Sequence, residues 1–225
     1  MKTIVFVLLS LFSFGVMAQK SVNINQDINS LKVSAGLIVE LYTNSGENKI
    51  MASPDVFEAI NFKVRENELR ISSSIETLME GDVPLELKVY VKQINKVNVV
   101  KGSEVELANK FEADNLFLRA GEGSIISGEV YVNSLEIKVI SGGEMNIRGE
   151  GKSQSIEIST GGEYSASDFK TDDTTVQISY GGEATIYAAK NCRAKVFAGG
   201  TINIYGDPEF INEKRNFGGE INLMK

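Results

Sequence analysis

Paired glycines recur along the C-terminal two-thirds of the chain at Gly142-Gly143, Gly161-Gly162, Gly181-Gly182, Gly199-Gly200 and Gly218-Gly219, with degenerate members at Gly121 and Gly102. Successive first glycines lie 19, 21, 19, 20, 18 and 19 residues apart, which reads as the length of one repeating turn. Positions five and three before the first glycine are apolar in every copy, from Val97 and Val99 through Leu116 and Leu118, Ile137 and Val139, Ile156 and Ile158, and Val176 and Ile178 to Ala194 and Val196. Positions two and four after the second glycine behave likewise, as in Met145 and Ile147, Ala184 and Ile186, and Ile202 and Ile204. The Gly121 copy departs from this column, with Ser124 where a hydrophobe is expected.

Alternation with a period of two on both flanks describes strands with one buried face. Glycine suits the corner between them because it reaches backbone angles that other residues resist. One such unit cannot bury its own apolar face, but copies stacked at a strand spacing of about 4.8 Å form a continuous core. The expected fold is therefore all-β: a right-handed parallel β-helix, or solenoid, with Gly-Gly rungs of 19–20 residues. A helix would carry the glycines at about 1 kcal/mol each and would not recur every second residue. A β-sandwich shares the short strands, but not the near-constant rung length or the fixed columns.

Residues 19–95 read as an irregular β block. Leu31 to Leu41 fits the template around Gly36 and marks a first rung, Ser53-Pro54 opens one or two helical turns through Ile60, and strand-like runs follow at Ile60–Val64, Leu69–Ile71 and Leu85–Val91. This block is expected to cap one end of the rungs in 96–225, and the charged stretch Asp207–Arg215, with Pro208, to interrupt the last rung at the other end. Residues 1–18, with Lys2, an apolar run from Ile4 to Val16 and a small residue at Ala18, read as a signal peptide. Export to the periplasm, the cell surface or the medium is the expectation, without a lipid anchor, since the sole cysteine is Cys192, and without a membrane span.

Removing Lys2 from the 23 basic residues leaves 22 against 30 acidic ones, a net charge of about −8, which argues against nucleic acid as a partner. The chain has no histidine, so Ser-His-Asp and Cys-His catalysis and imidazole-built zinc sites are excluded. No cofactor motif is present, and Cys192 reads as a small buried residue.

The segments Leu31–Leu41, Val64–Ile71 and Val89–Val91, followed by the Gly-Gly rungs, resemble in order the exported bacterial family described as putative auto-transporter adhesin, head GIN domain, common in Bacteroidetes-type bacteria. The resemblance spans almost all of the mature chain. It implies a β-helical exported module and adhesion, and it supplies no catalytic residues.

Aligning the rungs sorts the outward positions into rows. Directly after the glycine pair come Glu104, Gly123, Glu144, Glu163, Glu183, Thr201 and Glu220, so Glu144, Glu163 and Glu183 are expected to form a ladder of like charges. Two readings stay open: a solvated row screened by salt, or a row neutralised by a hard cation such as Ca²⁺ or by basic groups of a partner. Beside it run Asn146, Ser165, Thr185, Asn203 and Asn222, a row that either satisfies itself or meets sugar hydroxyls, with Tyr164, Tyr180, Tyr187 and Tyr205 close by in sequence. These rows point to a non-enzymatic binding or adhesion module that presents a flat face to glycan or to a cell-envelope protein. The alternatives are a structural or assembly piece of an envelope complex, for which the outward Phe197 and Ile140 suggest self-association into a homo-oligomer, or a polysaccharide-degrading enzyme built on Lys138, Arg148, Lys190, Arg193 and Lys195. The aspartates Asp168, Asp172 and Asp173 fall in one corner, and Asp172 to Thr175 reads as a turn.

Overall fold

A computed structural model describes residues 19–74 and 84–224; the expected signal peptide lies outside the described residues. The glycine corner sets the architecture, and in the Gly142 and Gly161 corners its two positions do different work. Gly142 has φ 68°, following Ser141 at φ 51°, so two successive left-handed residues turn the chain sharply. Gly162, in the second position of the next corner, has a φ that other residues tolerate. A Cβ there would stand 2.8 Å from the Val139 carbonyl oxygen of the preceding rung, so close approach of backbone to backbone selects glycine.

The left-handed column runs Gly36, Gly102, Gly123, Gly142, Gly161, Gly181, Gly199 and Gly218. Gly123 therefore fills the corner that the spacing assigned to Gly121, and Ser124 pairs with the second-glycine column rather than departing from an apolar one. The outward residue of that rung is Ile125, which pairs with Glu144, and not Gly123. In these early rungs serine takes the second position: Ser103 and Ser124 are buried, Leu37 N donates to Ser103 Oγ at 3.3 Å, and Ser103 N donates to Ser124 Oγ at 3.2 Å. The irregular spacing has a cause in the strand itself. Between Leu107 and Phe111 the chain carries two residues more than its partner does between Gly128 and Val130, a bulge in which Asn109 holds the backbone of Thr43 at 3.0 and 3.1 Å.

The described residues form eighteen strands in one sheet, wound as a β-solenoid of about seven turns. A first wall, ahead of the corner, stacks β6 (Glu68–Ser73), β2 (Ser30–Ser34) and β8 (Lys96–Val100). It continues through the C-terminal parts of β9 (Glu104–Gly121), β10 (Ile125–Ile140), β11 (Glu144–Ser159) and β13 (Phe169–Tyr180), then β15 (Asn191–Ala198) and β17 (Phe210–Phe217), all parallel. A second wall, after the corner, stacks β7 (Leu85–Tyr90), β3 (Leu37–Tyr42), the N-terminal parts of β9, β10 and β11, then β12 (Gly162–Ser165), β14 (Gly182–Tyr187), β16 (Thr201–Tyr205) and β18 (Glu220–Leu223). A third side is formed by the middles of β9, β10 and β11 and the start of β13, where Phe111, Val130, Gly149 and Phe169 lie in register.

Stack order departs from chain order at the N-terminal end. β2 and β3, the first rung in sequence, sit inside the stack, because the following segment folds back and lays β6 and β7 outside them. Antiparallel strands then cover that end: β5 (Ile60–Arg65) on β6, β4 (Lys49–Ala52) on β7, and β1 (Lys20–Asn23) on β4. The short helix α1 (Pro54–Ala59) forms as its cap predicts, with Ser53 Oγ accepting from Val56 N at 3.3 Å. At the other end Asp207–Arg215 does not interrupt the last rung. Its residues from Phe210 onward are strand β17, in register with β15. Every residue of β17 is exposed, and its positions beneath Ala194 and Val196 are Glu213 and Arg215, an ion pair at 2.7 Å. Charges turned into an edge disfavour pairing with another chain, so sequence chemistry guards this open end.

Between the walls lies one apolar core, with a polar island at Gln154. Its Nε2 stands 3.1 Å from Thr171 Oγ1, Thr174 Oγ1 and the Tyr187 carbonyl, which share its two N–H donors, while Tyr164 Oη donates to Gln154 Oε1 at 3.1 Å. Tyr164 is fully buried, so it belongs to this network and not to the surface.

Replacing Gly142 by alanine should cost about 1–2 kcal/mol, the penalty of a left-handed L-residue in open space. Gly162→Ala should cost more, through the clash with the Val139 carbonyl; chemical denaturation of both variants checks the order, and a neutral Gly162→Ala would contradict the stacking. Cys192 is 1% exposed, and burial, with Glu213 nearby, pushes its thiol up to about 11. At about pH 8 a thiol reagent should therefore modify the native chain about two orders of magnitude more slowly than the unfolded chain.

Candidate functional surface

The second wall brings the sequence-predicted rows together. Glu144, Glu163 and Glu183 are paired in register, rung on rung, and all three are exposed. The row continues through Thr201 to Glu220 on one side and through Ile125 to Glu104 on the other. Two residues along each strand, Asn146, Ser165, Thr185, Asn203 and Asn222 form the neighbouring row in the same register. Period-two alternation puts both rows outside, because Met145, Tyr164, Ala184 and Ile202 between them are buried.

The rows are linked to one another at their C-terminal end. Asn222 Nδ2 donates to Asn203 Oδ1 at 3.1 Å, and Asn203 Nδ2 donates to Glu183 Oε1 at 3.1 Å. Toward the N-terminal end the asparagine row becomes charged, passing from Asn146 through Ser127 and Glu106 to Glu40 and Lys88. Tyr42 Oη donates to Glu40 Oε2 at 2.6 Å and Lys88 Nζ lies 3.0 Å from the same oxygen; together they hold that carboxyl below its ordinary range, and the Glu40 carboxylate in turn raises Lys88. Tyr42 and Tyr90 stack at 4.7 Å across the same pair of rungs. Among the described residues, no three carboxylate or thiol side chains gather in metal-binding geometry.

Of the predicted tyrosines, Tyr187 and Tyr205 are neighbours in register on this wall. Tyr180 belongs to an edge-to-face ladder with Phe197 at 6.0 Å and Phe197 with Phe217 at 5.6 Å. Ile140 lies in the same outward row as Phe197 but three strands away, with Ser159 and Ser179 between them, so Phe197 and Ile140 do not form one patch. The basic residues proposed for catalysis do not converge. Lys138 pairs with Glu157 at 3.1 Å, Arg148 with Glu129 at 3.4 Å and Lys190 with Asp172 at 2.8 Å, while Arg193 and Lys195 stand on the outward side of β15. The stretch Asp172 to Thr175 is not a turn but part of β13.

Glycine alignment missed the third side, which carries an open groove of about 840 Å³. Glu112, Tyr131, Glu150 and Lys170 stand in register along it. Lys110 lies 3.7 Å from the Tyr131 ring centroid and Lys170 4.1 Å from that of Tyr187, so both rings already carry a cation. The signal existed in the alternation Phe111, Ala113 and Val130, Val132, but it lies too far from the glycines to be sorted by their columns.

Comparison with known proteins agrees with this architecture. Solved structures with the same fold include an adhesin described as putative from Bacteroides fragilis NCTC 9343, at TM-score 0.79 and 13% identity, covering 92% of this chain and 96% of that one. A putative lipid binding protein from Parabacteroides distasonis ATCC 8503 matches at TM-score 0.67 and 18% identity, covering 92% and 97%. A putative adhesin from Parabacteroides merdae ATCC 43184 matches at TM-score 0.67 and 18% identity, covering 92% and 96%. No curated protein matches the chain. The family described as putative auto-transporter adhesin, head GIN domain, matches residues 27–208, most of the chain, and the chain belongs to that family.

Proposed function

We propose that the chain is an exported, non-enzymatic binding or adhesion module whose contact surface is the second wall and whose ligand is a glycan or protein of the cell envelope. The observation that carries this reading is the pair of in-register polar rows on one sheet, with Asn203 already held by Asn222 and Glu183. Side chains fixed before a ligand arrives lose little freedom when it binds, and amide, hydroxyl and carboxylate groups together offer both donors and acceptors to sugar hydroxyls. Membership of an adhesin family supports binding as the role, and the dispersal of Lys138, Arg148 and Lys190 among separate ion pairs favours binding over catalysis.

Screening the folded protein on a glycan array should find ligands whose retention falls at least about tenfold, a change of about 1.4 kcal/mol, in the Asn146→Ala/Thr185→Ala/Asn203→Ala variant and is kept in Tyr131→Ala. An array on which the folded protein is silent, or binding indifferent to the wall variant, would count against a glycan on this wall. The glutamate row is read as holding no cation of its own. Calcium takes six to eight oxygen ligands, whereas carboxylates in a straight row about 4.8 Å apart present an extended line. Calcium titration by calorimetry should give no heat and leave the melting temperature unchanged; saturable heat lost in Glu163→Gln would place a cation there.

A further inference from the structure

The two walls that meet at the glycine corner carry opposite charge. On the first wall, Lys63, Arg70 and Lys32 stand in register on three neighbouring strands. The same row passes through Asn98 to Arg119 and Lys138, then through Glu157 and Gln177 to Lys195 and Lys214. Ten positions thus hold seven cations and one carboxylate, in a chain whose net charge is −7. On the second wall the glutamate row, followed from β7 to β18, has nine positions. Glu86, Glu104, Glu144, Glu163, Glu183 and Glu220 occupy six of them, and none holds a cation.

The basic row is neutralised from within only at Arg70, which pairs with Glu68, and at Lys138, which pairs with Glu157, and the acidic row not at all. Among the described residues Lys32, Lys63, Arg119, Lys195 and Lys214 have no carboxylate partner, and Glu86, Glu104, Glu144, Glu163 and Glu220 have no cationic one. At the middle of the basic row, Asn98 Oδ1 and Arg119 Nε are shielded from solvent without a hydrogen-bond partner. Like charges directly opposite on adjacent strands repel, so each row is a standing cost to the isolated molecule.

We propose that a second copy of this chain relieves both costs, its acidic second wall lying against the basic first wall of its neighbour. The rows match because both are spaced by the same stacked rungs, about 4.8 Å apart, so carboxylates and cations can alternate along the contact without either backbone adjusting. Each exposed ion pair contributes little and is screened by salt, so the contact draws its strength from number and disappears at high ionic strength. Because different surfaces meet, the interface is heterologous, and copies add side by side into open assemblies unless the rotation closes a ring. The ligand assigned to the second wall is not needed for this contact.

Sedimentation velocity of the purified protein tests it. At about 10 mM ionic strength, where the Debye length is about 30 Å, the weight-average mass should rise with concentration, and at about 1 M, where it is about 3 Å, a monomer should remain. Glu144→Lys/Glu163→Lys/Glu183→Lys and Lys32→Glu/Arg119→Glu/Lys195→Glu should each stay monomeric at low salt, and mixing the two should restore association. The milder Glu144→Gln/Glu163→Gln/Glu183→Gln and Lys32→Gln/Arg119→Gln/Lys195→Gln, checked by melting, stand in if a reversal fails to fold. A wild-type monomer at low salt, or reversed variants that assemble as the wild type does, would overturn the proposal. So would a wild-type monomer that binds an anionic polysaccharide through the basic row, which would assign that row to a polyanion.

Discussion

Rung stacks on rung through parallel backbone hydrogen bonds, and the approach of one glycine corner to the next permits that stacking. Where Gly162 passes the Val139 carbonyl there is no room for a Cβ, and where Ser103 and Ser124 stand in place of glycine their hydroxyls accept the amide hydrogens of neighbouring rungs. Every surface feature follows from this contact. Corners held in line keep the columns in line, and columns in line turn a repeated sequence position into a row of like side chains.

The rows are therefore consequences of the fold that natural selection can fill in different ways. On the second wall they hold carboxylates and amides, on the first wall lysines and arginines, and on the third side a groove whose tyrosines are covered by lysines. Rows at a fixed spacing suit contact with extended or repetitive partners, whereas catalysis needs groups that converge on one point. The edges are treated differently again. Antiparallel β1, β4 and β5 close the N-terminal end, and Glu213 and Arg215 guard the other.

The glycine spacing made the solenoid, the corner residues and the second-wall rows legible, because those features recur in every rung. It failed where a rung departs from the mean. The bulge between Leu107 and Phe111 lengthened one repeat and drew the corner assignment to Gly121, two residues from Gly123, which has the positive φ. Long-range order was hidden for a different reason. That β6 and β7 lie outside β2 and β3 depends on the chain folding back, and no local pattern records it. Tyr164 fits the apolar column by size, yet its hydroxyl requires Gln154, a polar residue whose inward position the columns did not mark.

Register is the claim on which the rows and both contact surfaces depend, and cysteine pairs read it directly. In a Cys192→Ser background, Glu163→Cys with Glu183→Cys places two cysteines opposite each other on adjacent strands, within the Cα separation of about 4.4–6.8 Å that a disulfide spans. Glu163→Cys with Thr185→Cys is displaced by two residues, to about 8 Å, beyond that reach. Mild oxidation should close an intramolecular disulfide in the first pair and leave the second reduced; equal closure in both, or closure only in the second, would contradict the register.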